Sequence, residues 1–155
     1  MATKLRLFLD ASVIIAGIAS LTGASGIILS LCEAGQVQAV VSEAILDECQ
    51  RNIQRKLPEM MPRFQRVMKA LKLEIVPYPP LEQVRRCEEI IHRKDAHILA
   101  AAIEAGPDYL ITLDATYFLK DPLLGQKSGL RIVSPGYFLE EVIRAGSTGE
   151  GEYST

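Results

Sequence analysis

The sequence predicts an α/β fold, a mainly parallel sheet covered on both faces by helices, and three observations predict it. Short β-rich runs alternate with helical patterns along the chain. Those runs are largely apolar, as strands buried on both faces must be. Proline and glycine punctuate nearly every change of pattern. At 155 residues the chain fits one ordinary domain. That domain is expected over residues 1–145, with the small, polar residues 146–155 as a flexible tail.

Residues 5–9, apolar except for Arg6, read as a buried strand that ends at Asp10. Residues 13–19 and 26–34 read as helices, interrupted by the turn Thr22-Gly23-Ala24-Ser25-Gly26. Gly35 stops the second helix, as glycine just past a helix end commonly does. Val37-Gln38-Ala39-Val40-Val41 is the next strand, and Ser42 caps a helix over 43–57. In that helix Ile45, Cys49 and Ile53 recur every four residues.

Pro58 ends this helix, and a second amphipathic pattern follows over 59–72, with Pro62 tolerable in its first turn. Residues 73–76 form a short strand closed by Pro77, and Pro79-Pro80 open a helix running to about residue 93. Residues 95–105 are small and oily almost all round, so this helix is expected to be buried. Gly106-Pro107 end it, and residues 109–113 form a strand reaching Asp114. A loop rich in Gly, Pro and Lys leads to a last strand over 130–133 and a final helix to about residue 145. There is no repeat and no second domain.

Composition narrows the function. Hydrophobic residues make up 48% and charged residues 23%, which argues against a disordered or fibrous chain. No apolar stretch approaches the roughly 20 residues of a membrane span. No signal-peptide pattern precedes the first strand, so a cytoplasmic protein without a membrane partner is expected. Cys32, Cys49 and Cys87 are odd in number and contain no C-x-x-C pair, which argues against a disulfide framework and a structural zinc site. The net charge of −2 is not the usual footprint of a nucleic-acid binder. It hides an uneven distribution, with basic residues crowded from Arg51 to Lys72 and again from Arg85 to Lys94. Solvated helix faces would explain either cluster alone.

The acids carry the chemistry. In an open α/β sheet, ligands bind outside the carboxyl ends of the strands. Two strands lead into aspartate, at Asp10 and Asp114, and Asp95 stands at the first turn of the buried helix. Each could be an ordinary cap or turn residue, worth roughly 1 kcal/mol. Capping does not require acids, however, and three such positions together weaken that explanation. On the 43–57 helix, Glu48 lies about 60° from Ile45 on the edge of the apolar stripe, whereas Asp47 and Glu43 face solvent. Two unit charges 4 Å apart repel by about 4 kcal/mol at an effective dielectric of 20. A gathered set of carboxylates therefore needs a cation, or protonation. Oxygen ligands without Cys or His favour Mg²⁺ or Mn²⁺, ions suited to phosphodiester hydrolysis.

Four segments, in this order, resemble the PIN-domain family, which includes VapC-type toxin ribonucleases. They are Leu-Phe-Leu-Asp10-Ala-Ser12, Val-Val-Ser42-Glu-Ala-Ile-Leu-Asp-Glu48, Lys-Asp95-Ala-His-Ile-Leu-Ala-Ala-Ala, and Tyr-Leu-Ile-Thr112-Leu-Asp114. The stretch from Asp95 to Asp114 is the most specific. The resemblance implies a three-layer α/β/α sandwich in which Asp10, Glu48, Asp95 and Asp114 are the catalytic, metal-binding acids, supported by Thr112 and Ser12. It implies Mg²⁺ or Mn²⁺ as cofactor and endonucleolytic cleavage of single-stranded RNA. Many members are toxins neutralised by an antitoxin protein, often as homodimers. A non-catalytic RNA-binding module of the same fold, or a small phosphatase, is the rival reading.

Other features carry less. Asp47 neighbours Glu48 by motif, and Asp121 competes with Asp114 but precedes Pro122 in a loop. His92 and His97 lack the spacing of a zinc helix and read as structural or surface residues. Gly23-Ala24-Ser25-Gly26 lacks the lysine of a phosphate-binding loop. The tyrosines and phenylalanines are too scattered in sequence to form a stacking platform.

Overall fold

The computed structural model describes residues 4–145. The tail expected over 146–155 lies outside the described residues. Five strands, β1 (Arg6–Leu9), β2 (Gln38–Ser42), β3 (Glu74–Val76), β4 (Tyr109–Ile111) and β5 (Ile132–Val133), form one sheet in the order β3-β2-β1-β4-β5. Every neighbouring pair is parallel. The chain moves from β1 through β2 to β3, then returns to the far side of β1 for β4 and β5. The strand order therefore reverses between β1 and β4.

Among the described residues, eight α-helices connect and cover these strands: α1 (Ala11–Ala19), α2 (Ala24–Glu33), α3 (Glu43–Lys56), α4 (Met61–Ala70), α5 (Leu81–Glu88), α6 (Ala96–Ala105), α7 (Leu124–Ser128) and α8 (Pro135–Tyr137). The last continues into a π-helical segment, Phe138–Arg144. With right-handed crossovers, α1 to α4 cover one face, and α5 and α6 cover the other because the chain has changed direction. The packing agrees: α1 lies against α2, α3 and α4, while α5 lies against α6. The expected three-layer sandwich is present.

The core sits on β1 and β2, where Leu7, Phe8, Leu9, Ala39, Val40 and Val41 are fully buried. The apolar sequence of α6 is explained the same way, with Ala96, Ile98, Leu99, Ala100, Ala101 and Ala102 all buried. At the amino end of β1, the Arg6 guanidinium pairs with Glu74 of β3 and donates to the Ala105 and Gly106 carbonyls at 2.7 and 3.1 Å. It thereby ties the end of α6 to the sheet edge opposite the acids.

Gly26, expected at a turn, lies inside α2. A Cβ there would stand 2.4 Å from the Ser20 carbonyl oxygen, so the close approach of backbone demands glycine. This contact lets α1 and α2 turn through 96°.

Beyond shifts of one or two residues at other element ends, three features differ from the sequence expectation. The helix expected to reach about residue 93 ends at Glu88, because Ile91 turns into the core and a single 3₁₀ turn, Arg93–Asp95, follows. The loop before β5 contains α7, anchored by buried Leu124 and closed by Gly129 in the left-handed region (φ 75°). Strand β4 ends at Ile111 rather than Leu113, which places Asp114 in the turn beyond the strand. The Leu113 amide is taken by the Ser12 hydroxyl at 3.1 Å and so leaves the ladder.

Candidate metal centre

The acids meet where the strand order reverses. Asp10 follows β1 and stands at the N-cap of α1, and Thr112 and Asp114 follow β4, the neighbour of β1. Asp95 precedes α6, and Glu48 projects from the second turn of α3. A cleft of about 390 Å³ is lined by Asp10, Glu48, Asp95 and Asp114, together with Ser12 and Lys94. All four acids expected from the sequence therefore share one cleft.

Asp10 is the most fixed of them. It is 6% exposed, and its Oδ1 accepts from the Ala11 amide at 2.9 Å. Its Oδ2 accepts from the Ser12 and Thr112 hydroxyls, both at 2.8 Å. Each hydroxyl in turn accepts a backbone amide: Leu113 to Ser12 at 3.1 Å, and Asp114 to Thr112 at 3.0 Å. Two short chains of hydrogen bonds thus run from the end of β4 to one carboxylate oxygen. The supporting residues expected from the sequence do contact the first acid.

Asp95 differs. It is 5% exposed and occupies the N-cap position of α6, yet its side chain makes no capping bond. Its Oδ2 is buried without any hydrogen-bond partner, which argues against an ordinary cap. Burial first, and then the charges of Asp114 and Asp10, push its pKa up, against opposing pulls from Lys94 and His92. Glu48 is half-buried, and its pKa is also raised, first by burial, then by Asp10 and Asp95, with Lys94 and Arg51 opposing. The carboxylates therefore feel one another's charge as a group.

Asp114 commits its Oδ1 locally, accepting the Thr116 and Tyr117 amides at 3.0 Å each. The competing acids fall elsewhere. Asp121 accepts the Leu123 amide and pairs with Lys127 at 3.9 Å, outside the acidic cleft. Asp47 is exposed and accepts from the Tyr78 hydroxyl at 3.4 Å, so the helical-wheel choice of Glu48 agrees with the geometry.

The donor set suits a hard divalent cation. It is carboxylate and hydroxyl oxygen, with no sulfur, and one buried carboxylate oxygen lacks a partner. Among the described residues no three acidic, His or Cys side chains already close around a single point. The acids share a cleft and do not form a finished chelate. Such an arrangement matches the roughly 4 kcal/mol repulsion expected between two close carboxylates with no charge between them.

One end of each basic cluster named from the sequence reaches the acids: Lys94 lines the cleft, and Arg51 lines an adjoining one of about 370 Å³ that shares Glu48, Asp95 and Lys94. Sequence reasoning missed Asn52, which also faces the acids, one helical turn beyond Glu48, and donates to the Glu48 carbonyl at 2.9 Å. Its i+4 spacing from Glu48 was the available signal. His97 is half-buried in the adjoining cleft, and burial lowers its pKa. The three cysteines are buried and unpaired, as expected; burial pushes the Cys32 thiol up to about 12.

A prediction follows for Thr112, which is fully buried. Thr112→Val keeps the shape but removes a donor to Asp10 and the acceptor of the Asp114 amide. Mn²⁺ affinity should fall about 10- to 100-fold, as for other residues that orient a ligand, which calorimetry can measure. Unchanged affinity would remove Thr112 from the centre.

An acid-lined cleft at the reversal point of a five-stranded parallel sheet defines the class of protein. A family model described as PIN domain matches residues 6–116, and the chain belongs to that family, whose members are generally nucleases using divalent metal ions. Two solved structures are similar. PAE2754 from Pyrobaculum aerophilum aligns with a TM-score of 0.56 and 17% identity over 83% of each chain. VapBC2 from Rickettsia felis, solved with a DNA fragment from its promoter, aligns with a TM-score of 0.58 and 16% identity over 84% of this chain and 98% of that one. At these identities the likeness concerns the fold. No curated protein matches this chain.

Proposed function

We propose that the protein is a Mg²⁺- or Mn²⁺-dependent endoribonuclease that cuts single-stranded RNA, with Asp10, Glu48, Asp95 and Asp114 as metal ligands. The buried, unpartnered Asp95 Oδ2, in a cleft shared with the other three acids, carries this reading. When bound, the ion polarises the scissile phosphate, activates water and stabilises charge on the leaving oxygen. Asp10 provides the fixed ligand, aimed by Ser12 and Thr112. Glu48, half-buried on a helix edge, provides an adjustable one. Lys94 and Arg51 offer positive charge to the RNA backbone beside the acids. The Ser12 hydroxyl is engaged as both donor and acceptor, so it serves positioning and no covalent intermediate on the protein is invoked.

The likeness to the VapBC2 structure is consistent with a toxin setting and an antitoxin partner, and the homodimeric form is part of this proposal through the family resemblance alone. A short partner gene just upstream would support that setting.

The test incubates purified protein with single-stranded RNA in Mn²⁺ and in EDTA. Cleavage in Mn²⁺ alone is expected. RNA retained on a filter but uncut in Mn²⁺ would instead indicate a binding module. Turnover of a chromogenic phosphate monoester, lost on Asp10→Asn, would indicate a phosphatase.

A further inference from the structure

Beyond the acids, the cleft opens past Thr116 and Tyr117 into a second, wider one of about 550 Å³. Both residues line both clefts. Here the Tyr117 ring packs against the His92 ring, with centroids 4.5 Å apart and planes tilted by 34°. Tyr117 is 37% exposed, and His92 is exposed. These aromatics are 25 positions apart in sequence, and only the fold brings them together.

The segment that presents each ring is tied down by a hydrogen bond. The Tyr117 amide donates to Asp114 Oδ1 at 3.0 Å, which fixes the turn that presents its side chain. His92 Nδ1 accepts the Lys94 amide at 3.1 Å, at the start of the 3₁₀ turn that carries Asp95. The aromatic pair therefore spans the two segments that deliver Asp95 and Asp114, at the mouth of the acidic cleft.

The charges of this second cleft indicate which part of a nucleotide would enter it. Glu88 is paired with Arg93 at 3.8 Å, and Asp121 with Lys127 at 3.9 Å. The remaining charged side chains of the lining are Glu89 and Lys120, one of each sign. Such a lining gives little net attraction for a phosphate. An exposed aromatic face gives a planar base about 1–3 kcal/mol of stacking, whatever its identity.

We infer that Tyr117, backed by His92, forms a stacking subsite for the nucleobase next to the scissile phosphate of a single-stranded RNA. This inference rests on the proposed nuclease reading. Tyr117 is a binding residue here, outside the metal centre.

The experiment measures binding of two labelled 12-mers in Ca²⁺ by fluorescence anisotropy: a mixed-sequence oligoribonucleotide, and the same sugar-phosphate chain lacking bases. Tyr117→Ala should bind the base-bearing 12-mer about tenfold more weakly than wild type. It should bind the base-free chain as wild type does. Tyr117→Phe keeps the ring and should restore wild-type binding of both. Equal weakening of both 12-mers by Tyr117→Ala would make the aromatic pair a structural clamp and overturn the inference. So would Tyr117→Ala that binds both as wild type does. If wild type neither binds the 12-mers nor cuts RNA in Mn²⁺, the nuclease reading falls with it; if wild type cuts RNA but Tyr117 shows no base-dependent effect, this inference alone fails.

Discussion

Asp10→Asn should reduce RNA cleavage in Mn²⁺ by at least about 10²-fold, the scale on which losing one preorganised electrostatic group of an active site acts. Two effects combine. The substitution removes a negative charge from the cleft, so the cation is held less firmly. It also reverses a hydrogen-bond direction. Asp10 Oδ2 accepts from the Ser12 and Thr112 hydroxyls, and each hydroxyl is already an acceptor from a backbone amide. An asparagine must set its NH2 either toward these two hydroxyls or toward the Ala11 amide that donates to Oδ1, so in either orientation one acceptor is replaced by a donor facing a donor. The ligand would lose both its charge and its aim. Asp95→Asn should lose cleavage to a similar degree through charge alone, since no hydrogen bond holds Asp95 Oδ2. Equal cleavage by wild type and both variants would mean a contaminating nuclease.

The second large effect concerns stability without metal. In EDTA, Asp95→Asn should melt at the same or a higher temperature than wild type, because it removes a buried charge that has no partner. Saturating Mn²⁺, near 100 times its Kd, should stabilise wild type by about 2.7 kcal/mol. For a chain of this size that is roughly 5–10 °C in Tm. Asp95→Asn should gain much less. A clear drop in the Tm of Asp95→Asn in EDTA would make Asp95 a structural cap.

The pH dependence has a defined sign. Folding raises the pKa of Asp95 above its ordinary 3.8 and that of Glu48 above its ordinary 4.5, mainly through burial. Between those ordinary values and the raised ones, the folded state binds more protons than the unfolded chain. The contribution of these two groups to stability is therefore greatest at and below the ordinary values, and it declines as pH rises through the raised ones. In EDTA the Tm of wild type should fall over that window, and Asp95→Asn should fall less. Mn²⁺ should reverse the slope, since it binds the deprotonated acids.

The sequence by itself determined the fold class and the order of the strands and longer helices, and it singled out the four acids that line one cleft. Apolar runs such as Leu-Phe-Leu and Ala-Val-Val can be stable only between covering layers, so local composition already dictated a buried parallel sheet. The edge position of Glu48 followed from helix period, and Ser42 acts as the cap expected of it, accepting the Ile45 amide at 3.1 Å. Element ends were less legible. The helix expected to reach about residue 93 stops at Glu88 because burying Ile91 outweighs continuing the helix, a choice made by the core and not by neighbouring residues.

Only the tertiary structure decided how the acids stand to one another and what surrounds them. The reversal of strand order between β1 and β4 sets Asp10 beside Thr112, 102 positions apart in sequence. It leaves Asp95 Oδ2 without a donor and joins His92 to Tyr117. Sequence period reports which side of one helix or strand faces inward. It carries no information on which distant hydroxyl meets a carboxylate, because that is fixed by the packing of whole elements.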